Sequence, residues 1–188
     1  MEFKELSKEK TSTVEQRISK KWKEMNILER TIANREGKED FVFYDGPIYA
    51  NAKPGIHHVF AKTIKDAFCK YKTMQGYRVL RKIGLDTHGL PIEVNVEKKL
   101  GFKSKADIEN LGIEKFCEEC KKETDSNIDE VRRVTDMQGQ FIDVDNPYIT
   151  CSNDYIESEW WVLNEMNKKG LLYYGSKVLP YCPRCGTE

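Results

Sequence analysis

Apolar and polar residues recur along this chain with two different periods. From Ser12 to Met25, the residues Val14, Ile18, Trp22 and Met25 return every three or four positions, which is one face of a helix. Ser12 and Glu15 precede that stripe with the spacing of a capping box. The polar stretch TIANREGKED then reads as a loop, and Phe41 to Tyr44 (FVFY) is a short apolar run that fits a fully buried strand, stopped at Asp45-Gly46-Pro47. A second helical pattern begins near Ile56, passes through Val59, Ile64, Phe68 and Tyr71, and stops at Gly76; YRVLRKI follows directly as a second strand. Strand, loop, helix and strand within about 40 residues is the size of a βαβ unit, which requires parallel strands and predicts an α/β fold.

Beyond the second strand, GLDTHGLP places Asp86 and His88 at a strand's carboxyl end and Pro91 in the first turn of a helix that closes at Gly101. Ser104 to Gln138 is charged and helical, broken near Leu111-Gly112, with Phe116, Cys120, Ile128, Val131 and Val134 as inward positions. DVDNPYITCSND reads as a turn-rich crossing, Tyr155 to Lys169 as a helix closing at Gly170, and LLYYGSKVLPYC as strand-like. There is no internal repeat and no low-complexity tract.

Composition narrows the class more than the activity. At 188 residues the chain can build one sizeable core, and its 39% hydrophobic and 33% charged residues are the balance of a water-soluble protein. No apolar run reaches the length of a membrane span, and MEFKELSKEK lacks the apolar stretch of a secretion signal. Six cysteines at loose spacing do not make a small disulfide scaffold, so a reducing, cytoplasmic setting is expected. With 31 basic and 31 acidic side chains, net charge gives no mandate for nucleic acid and no argument against it.

Three groups could carry chemistry. In an open parallel sheet ligands bind beyond the carboxyl ends of strands, where a helix start offers free N–H groups to phosphate. The loop from Tyr44 to His58 lies at such a place and holds Gly46, Gly55, His57 and His58. The two imidazoles are either phosphate-facing donors or solvent-facing residues of a helix start. Asp86 is either a carboxylate for a substrate ammonium group or a cap for the loop before Pro91. Cys182 and Cys185, with Pro183 and Gly186, have the form of one knuckle of a zinc ribbon, which needs two further ligands. Cys117 and Cys120 fall within a helical run and are expected to be helix residues.

The blocks FYDGPIYANAKPGIHHVFAKTIKD, YKTMQGYRVLRKIGLDTHGLPIEVNVEKKLG, DNPYIT with NDYIESEWW, and KGLLYYGSKVLPYCPRCGTE together resemble the amino-terminal part of the isoleucyl-tRNA synthetases. The likeness covers nearly the whole chain. It implies the first half of a class I Rossmann-type catalytic domain, with an N-terminal helical extension over 1–40, the half-domain over 41–180, and the start of a zinc-ribbon and editing insertion over 181–188. It implies ATP-dependent activation of isoleucine and transfer to tRNA(Ile), with ATP bound as its Mg complex, no membrane partner, and a monomer when full length. Gly46, Pro47 and Asp86 would bind the amino acid. Asn51, Gly55, His57 and His58 would face ATP, with His57 and His58 as the catalytic pair, and Cys182 and Cys185 would be half of a zinc site completed far downstream. Discriminating Ile from Val rests on one methylene, about 1 to 3 kcal/mol, and isoleucyl-tRNA synthetases are the standard case in which a second, hydrolytic sieve is needed. The alternative is a non-catalytic nucleotide- or RNA-binding module that kept the half-domain and lost the chemistry.

The sequence departs from the family in several respects. The family signature His-Ile-Gly-His reads Gly55-Ile56-His57-His58 here, an exchange that keeps two imidazoles and one glycine. Leu85 stands where Trp is common, and no KMSKS-like loop, second Rossmann half or anticodon-binding region lies within these residues. A similar swapped signature occurs in some eukaryotic-like isoleucyl enzymes, linked with resistance to pseudomonic-acid antibiotics. Restoring the usual order by Gly55→His with His57→Gly in the full-length enzyme is expected to increase its affinity for such an inhibitor; unchanged inhibition constants would sink that link.

Overall fold

The computed structural model describes residues 8–187. The first seven residues of the expected helical extension, and Glu188, lie outside them. Among the described residues, four strands and seven helices follow in the order α1 (Thr11–Glu24), α2 (Ile27–Ala33), β1 (Asp40–Tyr44), β2 (Ile48–Tyr49), α3 (Ile56–Met74), β3 (Arg78–Asp86), α4 (Leu90–Leu100), α5 (Lys105–Leu111), α6 (Ile113–Met137), β4 (Asp143–Ile149) and α7 (Asn153–Lys168). Among the described residues no helix is long and apolar enough to cross a membrane.

Strand β3 is the axis of the sheet. Every other strand pairs with it in parallel: β1 along Arg78–Lys82, β2 at Leu85 and Asp86, and β4 from Lys82 to Leu85. The β1–α3–β3 sequence is thus the expected βαβ unit, in which a helix returns the chain to lay a second strand parallel to the first. Val79, Ile83 and Leu85 alternate on one face of β3, and Ile83 and Leu85 meet Ile48, Ala50, Ile128, Val131 and Ile142 in the core. Each fully buried aliphatic side chain there contributes about 1.5 to 3 kcal/mol. α6 supplies its part through a stripe of Phe116, Thr124, Ile128, Val131 and Thr135, with Cys120 and Val134 half-buried beside it.

Several sequence expectations are corrected. α1 starts at Thr11 after Lys10, which makes no side-chain cap, so the Ser12–Glu15 capping box does not form. Nothing in α1 is fully buried; it docks through the edge of Trp22 on Phe141 and a 2.6 Å ion pair from Lys23 to Asp136. FVFY is only half-covered, with Val42 and Tyr44 exposed while Phe41 and Phe43 are half-buried. LLYYGSKVLPYC forms no strand: residues 171–181 are irregular and exposed, followed by a single antiparallel bridge between Cys182 and Thr187.

DVDNPYI is not merely a crossing but strand β4. Its turn character sits inside the strand, where the pairing jumps from Lys82–Asp143 to Gly84–Tyr148. Asp143 Oδ1 accepts the N–H groups of Asp145 and Asn146 at 3.0 Å each, folding the extra residues into a bulge. Pro147, which has no N–H to give, falls within that interruption.

α3 is turned inside out relative to its pattern. Ile56, Phe60, Ile64, Phe68, Tyr71 and Met74 are exposed, while Lys62, Cys69 and Thr73 are buried. The reason is Arg81, which is buried on β3 and must find acceptors: it donates to the carbonyls of Cys69 at 3.2 Å and Phe141 at 3.0 Å, and to the Thr73 hydroxyl. Burial holds the Arg81 guanidinium below its ordinary value.

On the other face of β3, Gly84 lies directly beneath the ring of Tyr148. A Cβ at position 84 would stand 2.1 Å from Tyr148 Cζ, so only glycine allows the ring to lie there and its hydroxyl to donate to the Asp45 carbonyl. Gly84→Ala is expected to lower stability by about 1 to 3 kcal/mol, the range for an overpacked core. In a urea-melt double-mutant cycle, Tyr148→Ala should relieve much of that cost; additive losses would contradict the steric account.

Candidate functional site

The chain after β1 is built around one carboxylate. Asp45 continues the ladder, its N–H donating to Lys82 O at 2.9 Å, and its side chain is 1% exposed. Its two oxygens take separate cations from α3: Lys62 Nζ on Oδ2 at 2.8 Å and Lys65 Nζ on Oδ1 at 2.6 Å. Lys62 and Lys65 are three residues apart on the helix, so both reach the same side. Gly46 and Pro47, the expected amino-acid contacts, are exposed immediately beyond this clamp.

β2 carries the chain onward beside the end of β3, with Ala50 N–H donating to Asp86 O at 2.7 Å. The loop that follows is held by amides from two helices: Asn127 Nδ2 donates to Ala50 O at 3.0 Å and Asn95 Nδ2 to Asn51 O at 2.6 Å. Asn51 is therefore fixed through its backbone, and its side chain is half-buried.

Gly55 is the N-cap of α3. Its N–H donates to His58 Nδ1 at 3.0 Å, so His58 fills the role that Glu or Gln plays in a capping box. An accepting Nδ1 puts the proton of the neutral ring on Nε2, which leaves that N–H available beside the free amides of the helix start. The His57 and His58 rings lie 3.9 Å apart, centroid to centroid. Burial first, then the His57 ring and the Lys62 ammonium, push the His58 imidazole below its ordinary 6.5. Neutral His58 is thus a fixed hydrogen-bond donor more than a charge.

The swapped signature has a steric counterpart. A Cβ at Gly55 would stand 2.8 Å from His57 Cε1, so side chains at 55 and 57 compete for one volume. With His57 in its present rotamer, position 55 is glycine.

Asp86 ends β3 on the side away from the core. Its Oδ1 is 3.4 Å from the Thr150 hydroxyl and 3.9 Å from His88 Nδ1, and no Lys or Arg pairs with it among the described residues. The Tyr49 hydroxyl donates to His88 O. Burial, then Asp86 and Glu93, raise Tyr49 above the usual phenol value. Gly46, Pro47, Asn51, Gly55, His57 and His58 thus follow the carboxyl ends of β1 and β2, and Asp86 is the last residue of β3. Sequence reasoning missed Asp45, Lys62, Lys65 and Thr150. The lysines carried the faint signal of two cations three apart on a helix whose preceding strand ends in Asp.

Cys182 and Cys185 stand apart from that group. The turn is closed by Cys182 N–H to Thr187 O at 2.8 Å and Gly186 N–H to Cys182 O at 2.9 Å. Arg184 docks it on α4 through a 2.6 Å pair with Glu97. Hydrogen bonds from the Cys185 N–H, the Cys185 side chain and the Arg184 N–H pull the Cys182 thiol down, while its bond to Cys182 raises Cys185. That arrangement suits a metal-bound thiolate. Among the described residues, however, no group of three or more His, Cys, Asp or Glu could hold a metal ion, so the pair is at most half of a zinc site. Cys117 and Cys120 lie on α6, with the Cys120 thiol pushed up to about 11 by burial and then by Glu93.

Residues 17–188 match the family described as tRNA synthetases class I (I, L, M and V). The chain belongs to this family. Among curated relatives it is 51% identical over 174 residues to isoleucine–tRNA ligase 2 of Bacillus cereus, and 48% identical over the same length to isoleucine–tRNA ligase of Clostridium kluyveri. Each match covers 93% of this chain and 17% of the relative, so the chain spans about a sixth of their length. The agnB2 LeuRS of Agrobacterium radiobacter K84, solved as a ternary complex with tRNA and LeuAMS, superposes with a TM-score of 0.58 at 23% identity, over 85% of this chain and 18% of that one. That likeness supports the α/β architecture expected of a class I synthetase catalytic domain.

The lowered value of His58 has a sign that can be checked. The unfolded imidazole takes up its proton near 6.5 while the folded one still resists, so this group's contribution to stability is present above 6.5 and is lost as pH falls through the folded value. The His58 ring protons are expected to titrate by NMR with a midpoint below 6.5; a midpoint at or above it would contradict the capping geometry.

Proposed function

We propose that this chain is the amino-terminal catalytic portion of an isoleucine–tRNA ligase. The observation that carries the reading is identity near one half to such ligases over 93% of the chain. The site geometry supports it: a carboxylate with no Lys or Arg partner among the described residues, and a helix start bearing two imidazoles, both lie at the carboxyl ends of strands of one parallel sheet. In this reading isoleucine lies over Gly46 and Pro47 with its ammonium group on Asp86. ATP, as its Mg complex, lies against Asn51 and the Gly55–His58 turn.

Activation is attack by the isoleucine carboxylate on the α-phosphate of ATP. A bond from carboxylate oxygen to phosphorus forms, the bond to pyrophosphate breaks, and isoleucyl-adenylate remains. The isoleucyl group then passes to a ribose hydroxyl of tRNA(Ile): an ester bond forms, the acyl–phosphate bond breaks, and AMP leaves. The first step needs no protein nucleophile, so positioning and charge stabilisation carry it. Neutral His58, donating through Nε2, and the amides of the α3 start stabilise charge on the phosphates as it shifts toward the leaving group. The clamp on Asp45 keeps that helix start at a fixed distance from the amino-acid loop. The Cys182–Cys185 turn enters no step.

The complete polypeptide read from the coding sequence is expected to catalyse isoleucine-dependent pyrophosphate exchange, with the 188-residue chain by itself near background. Asp86→Ala should raise the KM for isoleucine about ten- to a hundredfold, the worth of a charge-assisted contact, with little change for ATP. No exchange by the complete polypeptide, with nucleotide or RNA binding retained, would instead support the non-catalytic module.

A further inference from the structure

Thr150 is the first residue past β4, and its side chain is buried. Its N–H donates to Leu85 O at 3.1 Å, carrying the β3–β4 ladder one residue beyond the strand end. Its hydroxyl oxygen then gathers three consecutive residues of the neighbouring loop. It accepts the Thr87 N–H at 3.1 Å and stands 2.8 Å from His88 Nδ1 and 3.4 Å from Asp86 Oδ1. Thr87 returns the arrangement, its own hydroxyl accepting the Cys151 N–H at 3.1 Å. The ends of β3 and β4 are thus laced together by two threonine side chains where backbone pairing stops.

A hydroxyl has one proton and two acceptor positions. With the Thr87 N–H on one of these and a proton on His88 Nδ1 filling the second, the Thr150 proton is left for Asp86 Oδ1 or the Thr87 hydroxyl, each 3.4 Å away, and the carboxylate is the stronger acceptor. That bond fixes the carboxylate of a side chain that is 29% exposed and leaves its other oxygen for an incoming group. The exposed His88 is held in turn by the Tyr49 hydroxyl on its carbonyl.

We infer that Thr150 is a positioning residue for amino-acid recognition: its hydroxyl sets the orientation of Asp86, with His88 setting the direction of the hydroxyl. This rests on reading Asp86 as the ammonium-binding group of an isoleucine ligase. It assigns Thr150 a part in selecting the amino acid and none in binding the nucleotide.

The test is pyrophosphate exchange by the complete ligase carrying Thr150→Val, which keeps the shape and loses the hydroxyl. The KM for isoleucine is expected to rise about tenfold, the lower bound for losing a hydrogen bond to a charged group. The KM for ATP should stay within about twofold, and Thr150→Ser should restore the isoleucine value. An unchanged isoleucine KM, an equal rise in both constants, or no rescue by serine overturns the proposal. His88→Ala, on an exposed side chain, is expected to raise the isoleucine KM by a smaller factor without unfolding the protein. It decides the matter if Thr150→Val does not fold, and no change then overturns the proposal. If Asp86→Ala itself leaves the isoleucine KM unchanged, the reading of Asp86 falls and this inference with it. If Asp86→Ala acts and Thr150→Val does not, this inference alone falls.

Discussion

The arrangement depends on the buried Asp45 carboxylate between Lys62 and Lys65. It ties the carboxyl end of β1 to α3, and those are the two elements that frame the candidate site. Burying the carboxylate is tolerable because each oxygen has its own donor, Lys62 buried with it and Lys65 reaching in from a partly exposed position; removing one partner of a buried pair such as Asp45–Lys62 commonly costs about 3 to 5 kcal/mol. Tyr148 adds a third tie by donating to the Asp45 carbonyl, and it can do so only because Gly84 leaves room for its ring against β3. A glycine, a tyrosine and a charged triad thus fix one short loop from three sides.

The same requirement explains why α3 is inverted. Lys62 must face Asp45, and Cys69 and Thr73 must face Arg81, so the helix turns its polar side toward the sheet. Its six large apolar residues are left outward as a consequence. Asp66 joins this inner face by accepting the Phe141 N–H at 3.0 Å, and Lys70 by donating to Gly139 O at 3.1 Å. The helix is therefore held by directional polar contacts, which fix its register along the sheet more tightly than a greasy interface would.

That register matters for chemistry that proceeds by positioning. The Gly55–His58 turn is the start of α3, Asp86 is the end of β3, and the clamp and the Thr87–Thr150 lacing hold these two points against the sheet. α4 joins the system through Asn95 on Asn51 O, and through Glu97 to Arg184 of the cysteine turn. The Asn51 loop and the cysteine turn are thus anchored on one helix, without the turn itself reaching the candidate site.

Much of the local structure was determined by sequence alone. The β1–α3–β3 unit, Pro91 opening α4, Gly101 closing it, and the break at Gly112 follow from short-range backbone preferences and hydrophobic period, which a linear reading sees. The sequence also carried the candidate residues themselves, because Gly46, Asn51, Gly55, His57, His58 and Asp86 lie in blocks whose order and spacing resemble one enzyme family. Tertiary structure decided the rest. Which side of α3 faces inward depended on Arg81 and Asp45, residues on the flanking strand and loop whose burial no helical period encodes. That DNPYIT is a strand depended on β3 being available to pair with it. That Thr150 touches Asp86 depended on that pairing bringing residues 64 apart within 3.4 Å. A sequence lists donors and acceptors, and only the folded chain decides which of them must satisfy one another once water is excluded.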